Sequence, residues 1–266
     1  LHTAYRRQRQ MCIRDRAKAL IGTFVNGDVE LAKSLLKENY IQHNLAYGTG
    51  RDAFLSSVAY LKSAPIKTTL KVIREFEDKD KVVLQSVYNF AGAGEQVAFD
   101  IFRFEDGLIA EHWDNLATKV GQNPSGRTQI DGDTKIVDNG NTEKTREVVK
   151  NFLYDVMQNN APEKTSSYFN GDNYLQHNIG IADGLSGLAT ALKSLAEAGI
   201  AMIYDNVHMV LACGDFALGV SEGTFGEKPT AYYDLWKVEN GKIAEHWDVM
   251  ETIADKKTWA NSNGKF

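Results

Sequence analysis

Five histidines lie beyond the first sixteen residues, and four of them stand in two copies of one pattern. Tyr40-Ile41-Gln42-His43-Asn44 recurs as Tyr174-Leu175-Gln176-His177-Asn178, and Ile109-Ala110-Glu111-His112-Trp113-Asp114 recurs as Ile243-Ala244-Glu245-His246-Trp247-Asp248. Both recurrences have the same offset of 134 residues, and Asp100, Gly50 and Gly107 map at that offset onto Asp234, Gly184 and Gly241. An aspartate beside a histidine in an apolar pocket is an acid–base pair: the carboxylate orients the imidazole and stabilises its charged form. Asp100 with His112, and Asp234 with His246, are therefore the candidate catalytic pairs. Each could remove a proton α to a carbonyl and return it elsewhere. Tyr40 or His43, and Tyr174 or His177, would donate a hydrogen bond to the developing enolate. Asn44, Asn178, Trp113 and Trp247 complete the candidate ligand-binding set.

The same residues admit a structural role. Buried polar side chains often satisfy backbone groups and pin strands together, so Tyr40, Gln42 and Asn44 could close a helix-to-loop connection, with Trp113 and Trp247 as core aromatics. Glu111 and Glu245 alternate with the histidines and are expected to be exposed or paired with Arg103 and Lys237. A metal held by His43, Asp100 and His112 is conceivable as a two-histidine, one-carboxylate set, but the chain lacks tight ligand spacing and the expectation is no metal. Enolisation needs no cofactor, and neither a phosphate-cradling glycine loop nor a nucleophile elbow occurs.

Two motifs sharing one offset identify a duplicated domain, each copy of about 115–120 residues being large enough to fold alone. In the first copy Ala17, Leu20, Ile21, Phe24 and Val25 make a helical stripe; in the second, Val148, Val149, Phe152 and Val156 do so. A short second helix ends near Leu35-Leu36 and Tyr168-Phe169. A third spans 52–62, with its counterpart over 185–198 stopping at Gly199. Beyond it Val82, Leu84, Ser86, Tyr88 and Phe90 alternate with period two, and 99–104 and 109–113 are rich in strand formers. Each copy reads as three helices followed by antiparallel strands, an α+β domain.

The turns Glu105-Asp106-Gly107 and Glu239-Asn240-Gly241 are expected to be three-residue hairpins ending in a left-handed glycine. That register sets Asp100 directly opposite His112 and Asp234 opposite His246. A two-residue turn would move the register by one and send the histidine to the other face.

The organisation follows: residues 1–16 a non-native leader, 17–120 the first domain, 121–141 a Gly/Asn/Asp/Thr/Ser-rich linker with Pro124, and 142–266 the second domain. The first sixteen residues carry five arginines against Asp15, a charge of +4, so the remainder holds −9 of a formal total of −5. An acidic body argues against nucleic acid as a partner, and no apolar run reaches the ~20 residues of a membrane span. Cys12 and Cys213 form no disulfide framework. A cytoplasmic location is expected, with export left open by the uncertain native start.

The pairing of Tyr-hydrophobic-Gln-His-Asn with Asp-x-hydrophobic-Arg-x-x-x-x-Gly and Glu-His-Trp-Asp resembles SnoaL-like proteins of the nuclear-transport-factor-2-like superfamily. Some of these are named predicted aldol-condensation-catalysing enzymes. The resemblance covers nearly all of 17–266, though Leu45 and Ile179 stand where the family motif usually has Pro. It implies two tandem cone-shaped domains, each a strongly bent antiparallel sheet wrapped around three helices with a pocket at the open end. It further implies an intrachain pseudo-dimer, with a further homo-oligomer left open, and a cofactor-independent enzyme acting on a small apolar carbonyl compound. Because polyketide cyclases, ketosteroid isomerases and non-catalytic binding domains share this fold, a ligand-binding protein or an interaction module is the alternative.

Overall fold

A computed structural model describes residues 12–266. They divide into two units: the chain through Asp114 together with Asp255–Phe266, and Asn115–Ala254. The first contains α1 (Ile13–Asn26), α2 (Val29–Leu35), β1 (Leu36–Gln42), α3 (Arg51–Ser63), β2 (Thr69–Asp78), β3 (Lys81–Asn89), β4 (Gln96–Glu105) and, up to Asp114, β5 (Leu108–Thr118). Its five strands run in the order β1-β5-β4-β3-β2. The second contains α4 (Thr142–Phe152), a π-helical continuation over Leu153–Met157, a 3-10 turn over Pro162–Tyr168, β6 (Leu175–Gln176) and α5 (Gly184–Glu197). Strands β7 (Met202–Cys213), β8 (Phe216–Phe225), β9 (Lys228–Glu239) and β10 (Lys242–Thr252) follow, in the sheet order β6-β10-β9-β8-β7. Each half is thus α+β, with helices against a five-stranded sheet.

Local chemistry sets these boundaries. Gly27 closes α1 in the left-handed region at φ 69°, which a glycine adopts without a Cβ penalty. One residue on, Asp28 accepts from Leu31 N–H and starts α2. The apolar stripe of α1 buries Leu20 and Ile21; in the second unit Val149, Phe152 and Leu153 pack against Tyr232 and Trp236. Full burial of a side chain of this size stabilises by roughly 1.5–3 kcal/mol.

Four features differ from the sequence expectation. Helix α1 begins at Ile13, inside the stretch set aside as a leader, and its Arg16 guanidinium donates to the Gly107 carbonyl. Lys18, a turn further, bridges Asp15 and Glu75. The leader expectation for residues 1–11 lies outside the described residues. Strands β1 and β6 carry the Tyr/Gln/His motifs and pair in parallel with β5 and β10, so neither sheet is wholly antiparallel. They escape a period-two search because β1 follows α2 without a turn residue and β6 is two residues long.

The third difference is the hairpin register. Asp106 and Gly107 (φ 52° and 78°) and Asn240 and Gly241 (φ 52° and 75°) form two-residue turns with both central residues left-handed. In the second unit Lys242 pairs with Glu239, and a bulge between Ile243 and Glu245 then adds one residue. His246 consequently faces Trp236, and Asp234 faces Asp248. The expected direct opposition of Asp234 and His246 is therefore incorrect. The bulge restores the parity that the tighter turn changes, so the two side chains share a face as diagonal neighbours, still within reach.

The fourth concerns the connecting segments. Asp255–Phe266 packs with the first unit rather than with the repeat it follows: Asn261 donates to the carbonyls of Asn44 and Tyr47, and Asn263 to that of Gln42. The polar stretch after β5 is ordered on the second unit, where Asn123 donates to the carbonyls of Gln176 and Ile181 and Arg127 pairs with Asp183.

Candidate active site

In the first unit β1 and β5 set Gln42 beside His112, and β4 brings Asp100 to the same face. His112 Nε2 lies 3.0 Å from Asp100 Oδ1, and His112 Nδ1 lies 3.0 Å from Gln42 Oε1. The Asn44 backbone N–H also donates to Gln42 Oε1, while Gln42 Nε2 donates to the Tyr40 hydroxyl. This fixes the amide: its oxygen accepts, so His112 Nδ1 carries a hydrogen. Tyr88 donates to Asp100 Oδ2 at 2.8 Å, and Asn44 Nδ2 donates to Asp114 Oδ2.

The second unit repeats this network. His246 sits between Asp234 Oδ1 (3.0 Å) and Gln176 Oε1 (2.9 Å); Gln176 receives the Asn178 N–H and donates to Tyr174; Asn178 donates to Asp248. Here Tyr204 supplies the hydroxyl on Asp234 Oδ2, at 3.1 Å. The histidine rings are sandwiched on aromatic walls, His112 on Phe102 and His246 on Trp236.

Burial governs the electrostatics. It pushes the Asp100 carboxyl above the usual range, with the His112 bond opposing it. Burial raises Asp248 as well. Tyr40, Tyr88, Tyr174 and Tyr204 are raised well above an ordinary phenol, first by burial and then by the neighbouring aspartates, so they remain protonated donors.

Not every candidate joins this network. Residues 111 and 113 alternate with 112 and 114 along β5, which puts Glu111 and Trp113 on the opposite face. There His43 bonds Glu111 (2.9 Å), stacks on Trp113 and meets the Gly264 carbonyl at 2.9 Å, while Arg103 holds the other Glu111 oxygen. His177 likewise bonds Glu245 and the Thr128 carbonyl and stacks on Trp247, whose indole donates to the Asp131 carbonyl. The expected Arg103–Glu111 pair is present, whereas Lys237 pairs with Asp133 and Glu239. His43, Trp113, His177 and Trp247 thus anchor the tail and the linker and do not reach the Asp–His pairs.

Four residues that matter were missed as site members. Gln42 and Gln176 were legible in the motif, but their role in fixing the histidine tautomer was not. Tyr88 has no counterpart at the repeat offset, where Glu222 stands, so nothing in the repeat marked it or Tyr204.

Asp100, His112 and Asp114, and likewise Asp234, His246 and Asp248, bring three potential ligand atoms within 4.8 Å of one another. These groups could hold a cation. In the first unit, however, Asp100 and His112 already satisfy each other, Asp114 Oδ2 is bonded to Asn44, and its Oδ1 faces the buried Lys265 ammonium at 3.8 Å.

The SnoaL-like domain family matches residues 17–112. No curated protein sequence matches the chain. Among solved structures, an NTF2-like protein of unknown function from Cytophaga hutchinsonii is 20% identical, covering 41% of this chain and 92% of its own, at a TM-score of 0.36. IdmH, a putative polyketide cyclase from Streptomyces antibioticus, is 20% identical over 40% and 92%, at 0.35. A putative ketosteroid isomerase from Kribbella flavida is 20% identical over 46% and 90%, at 0.36. Residues 17–112 match a SnoaL-like domain, and the motifs, the sheet order and the polar network of that half all recur in the second.

Proposed function

We propose that this protein is a cofactor-independent acid–base catalyst acting on a small apolar carbonyl compound, by isomerisation, cyclisation or aldol-type chemistry. The observation that carries this reading is the 3.0 Å contact between each buried aspartate and its histidine. Gln42 fixes a hydrogen on His112 Nδ1, so the contact between Nε2 and Asp100 Oδ1 holds one proton. In its imidazolium–carboxylate form the pair contains both a base and an acid. The Asp100 carboxylate takes the proton α to the carbonyl, the C–H electron pair moves to the carbonyl oxygen as an enolate, and the imidazolium returns a proton at the new position. Tyr40 accepts from Gln42, which leaves its own hydrogen to donate to the enolate oxygen. Asp234, His246 and Tyr174 have the same roles in the second unit.

The experiment is a screen of aryl and alkyl ketones for turnover, followed by Asp100→Asn with Asp234→Asn. The expected loss is about 10²–10⁴-fold in rate with a small change in thermal midpoint. Unchanged turnover with a fall in stability would assign the pairs a structural role. Saturable binding without turnover in the parent protein would make this a binding protein.

A further inference from the structure

A third motif recurs in this chain at its own spacing. Asn123-Pro124-Ser125-Gly126-Arg127 matches Asn261-Ser262-Asn263-Gly264-Lys265 at an offset of 138 residues, where the sheet motifs repeat at 134. The difference lies in the spacers: residues 119–122 join β5 to the first copy of the motif, and residues 253–260 join β10 to the second. Both copies fold alike. The leading asparagine accepts from the backbone N–H two residues on, Ser125 or Asn263, each at 3.0 Å. The glycine that follows is left-handed, at φ 78° for Gly126 and 85° for Gly264. An asparagine turn and a left-handed glycine set this shape within the segment itself.

Each copy docks on the loop that follows the Tyr/Gln/His strand of its own unit. In the second unit the Asn123 amide donates to the carbonyls of Gln176 (2.7 Å) and Ile181 (3.0 Å), and the Thr128 carbonyl meets His177 Nδ1 at 2.8 Å. In the first, the Asn261 amide donates to the carbonyls of Asn44 (2.9 Å) and Tyr47 (2.8 Å), Tyr47 being the match of Ile181. The Asn263 amide donates to the Gln42 carbonyl (2.8 Å) and the Thr49 hydroxyl (3.0 Å). Ala260 N–H donates to the Leu45 carbonyl, and the Gly264 carbonyl meets His43 Nδ1 at 2.9 Å. The basic residues end differently, Arg127 on Asp183 and the buried Lys265 facing Asp114 at 3.8 Å. A row of backbone carbonyls selects an amide side chain, which brings two N–H donors to bridge them and keeps an oxygen to hold its own turn.

We infer that the loop after β1 in the first unit is a peptide-docking site that reads Asn-x-Asn-Gly-Lys, filled by residues 261–265 of its own chain and open to the same segment of a second copy. Spacers of different length deliver the motif to the same kind of loop, so the segment and not its tether sets the docking. Its turns are local, so it meets the loop with little left to order. Residues 123–127 are tied on both sides, to β5 and to α4, and stay with their own loop. Exchange of an identical element between chains is a low-cost route to a dimer. A second copy docked in this way brings its own Lys265 to Asp114 and its own Asn263 to the Gln42 carbonyl, and so completes the surroundings of Gln42 and His112. The docking stands whatever reaction the Asp–His pair carries out.

The test uses the full chain and a fluorescently labelled peptide of residues 255–266. The chain carrying Asn261→Ala with Asn263→Ala binds the peptide one to one and about tenfold more tightly than the parent, whose tethered segment competes at an effective concentration of about 1 mM. A peptide bearing the same two substitutions binds this chain about tenfold more weakly or worse, because the loop carbonyls lose their donors. A second measurement needs no substitution. Between about 10 µM and about 1 mM the light-scattering mass of the parent rises from one chain toward two, and excess unlabelled peptide returns it to one. No saturable peptide binding, or equal binding of the substituted peptide, would overturn the docking site. A mass of one chain throughout that range would overturn the exchange with a second copy.

Discussion

In the first unit the hydroxyl on the buried Asp100 comes from Tyr88 on β3, paired with Leu70 on β2; in the second the hydroxyl on Asp234 comes from Tyr204 on β7, paired with Gly223 on β8. The tyrosine has crossed to the neighbouring strand while its oxygen stays on the same carboxylate atom. Residues directly opposed across a strand pair share a face, so either strand can deliver the phenol. The exchange has a steric condition. A Cβ on Gly223 would run into the Ile203 carbonyl and stand 3.1 Å from the Tyr204 Cα, so the β7 backbone lies too close to position 223 for any side chain there. What the two halves share is therefore a set of atoms around an Asp–His pair rather than a set of sequence positions.

The largest expected effect tests whether the halves are functionally unequal. With turnover as readout, Asp100→Asn combined with Asp234→Asn lowers the rate by about 10²–10⁴-fold, and the two single variants divide that loss between the halves. Equal losses would make the halves equivalent.

Gly223→Ala tests the steric condition. It should destabilise the second unit by about 3 kcal/mol, since backbone atoms must move, and chemical denaturation should show this as an earlier transition for residues 115–254. A neutral outcome would show that the β7 backbone does not press on position 223.

Helices α3 and α5 are compared by truncating matched positions. Val58→Ala should cost about 2 kcal/mol as a buried aliphatic group is lost, whereas Leu192→Ala should cost less than about 0.5 kcal/mol. Equal costs would mean that α5 is as well packed as α3.

The smallest expected effect is a pH slope. Each unit carries two deeply buried tyrosines whose folded-state ionisation lies well above that of the unfolded chain. The folded protein keeps these protons after the unfolded chain releases them, so stability is full below pH ~10 and falls as pH rises beyond it. Each tyrosine contributes up to about 1.4 kcal/mol per pH unit. Tyr88→Phe and Tyr204→Phe should each reduce the alkaline slope by one proton, measured as thermal midpoint against pH. A reduction from only one of them would show that the two phenols are not equivalent.

The sequence by itself determined the duplication, the α+β order of elements, and the residue types of the acid–base set, because a constant offset and hydrophobic periodicity are properties of the chain read in one dimension. It placed Asp100 with His112 and Asp234 with His246. It also grouped His43, Trp113, His177 and Trp247 with them, although those side chains sit on the other sheet face. Only the tertiary structure decided the register, since one extra residue at the Ala244 bulge changes which side chains oppose each other and leaves no mark in composition. It alone selected Tyr204 over Glu222, fixed the histidine tautomer through Gln42 and Gln176, and seated the tail on the first unit. It alone showed that Val58 on α3 is buried while Leu192, its match on α5, is exposed. Burial depends on what other segments place beneath a helix, and the helix's own residues do not encode that.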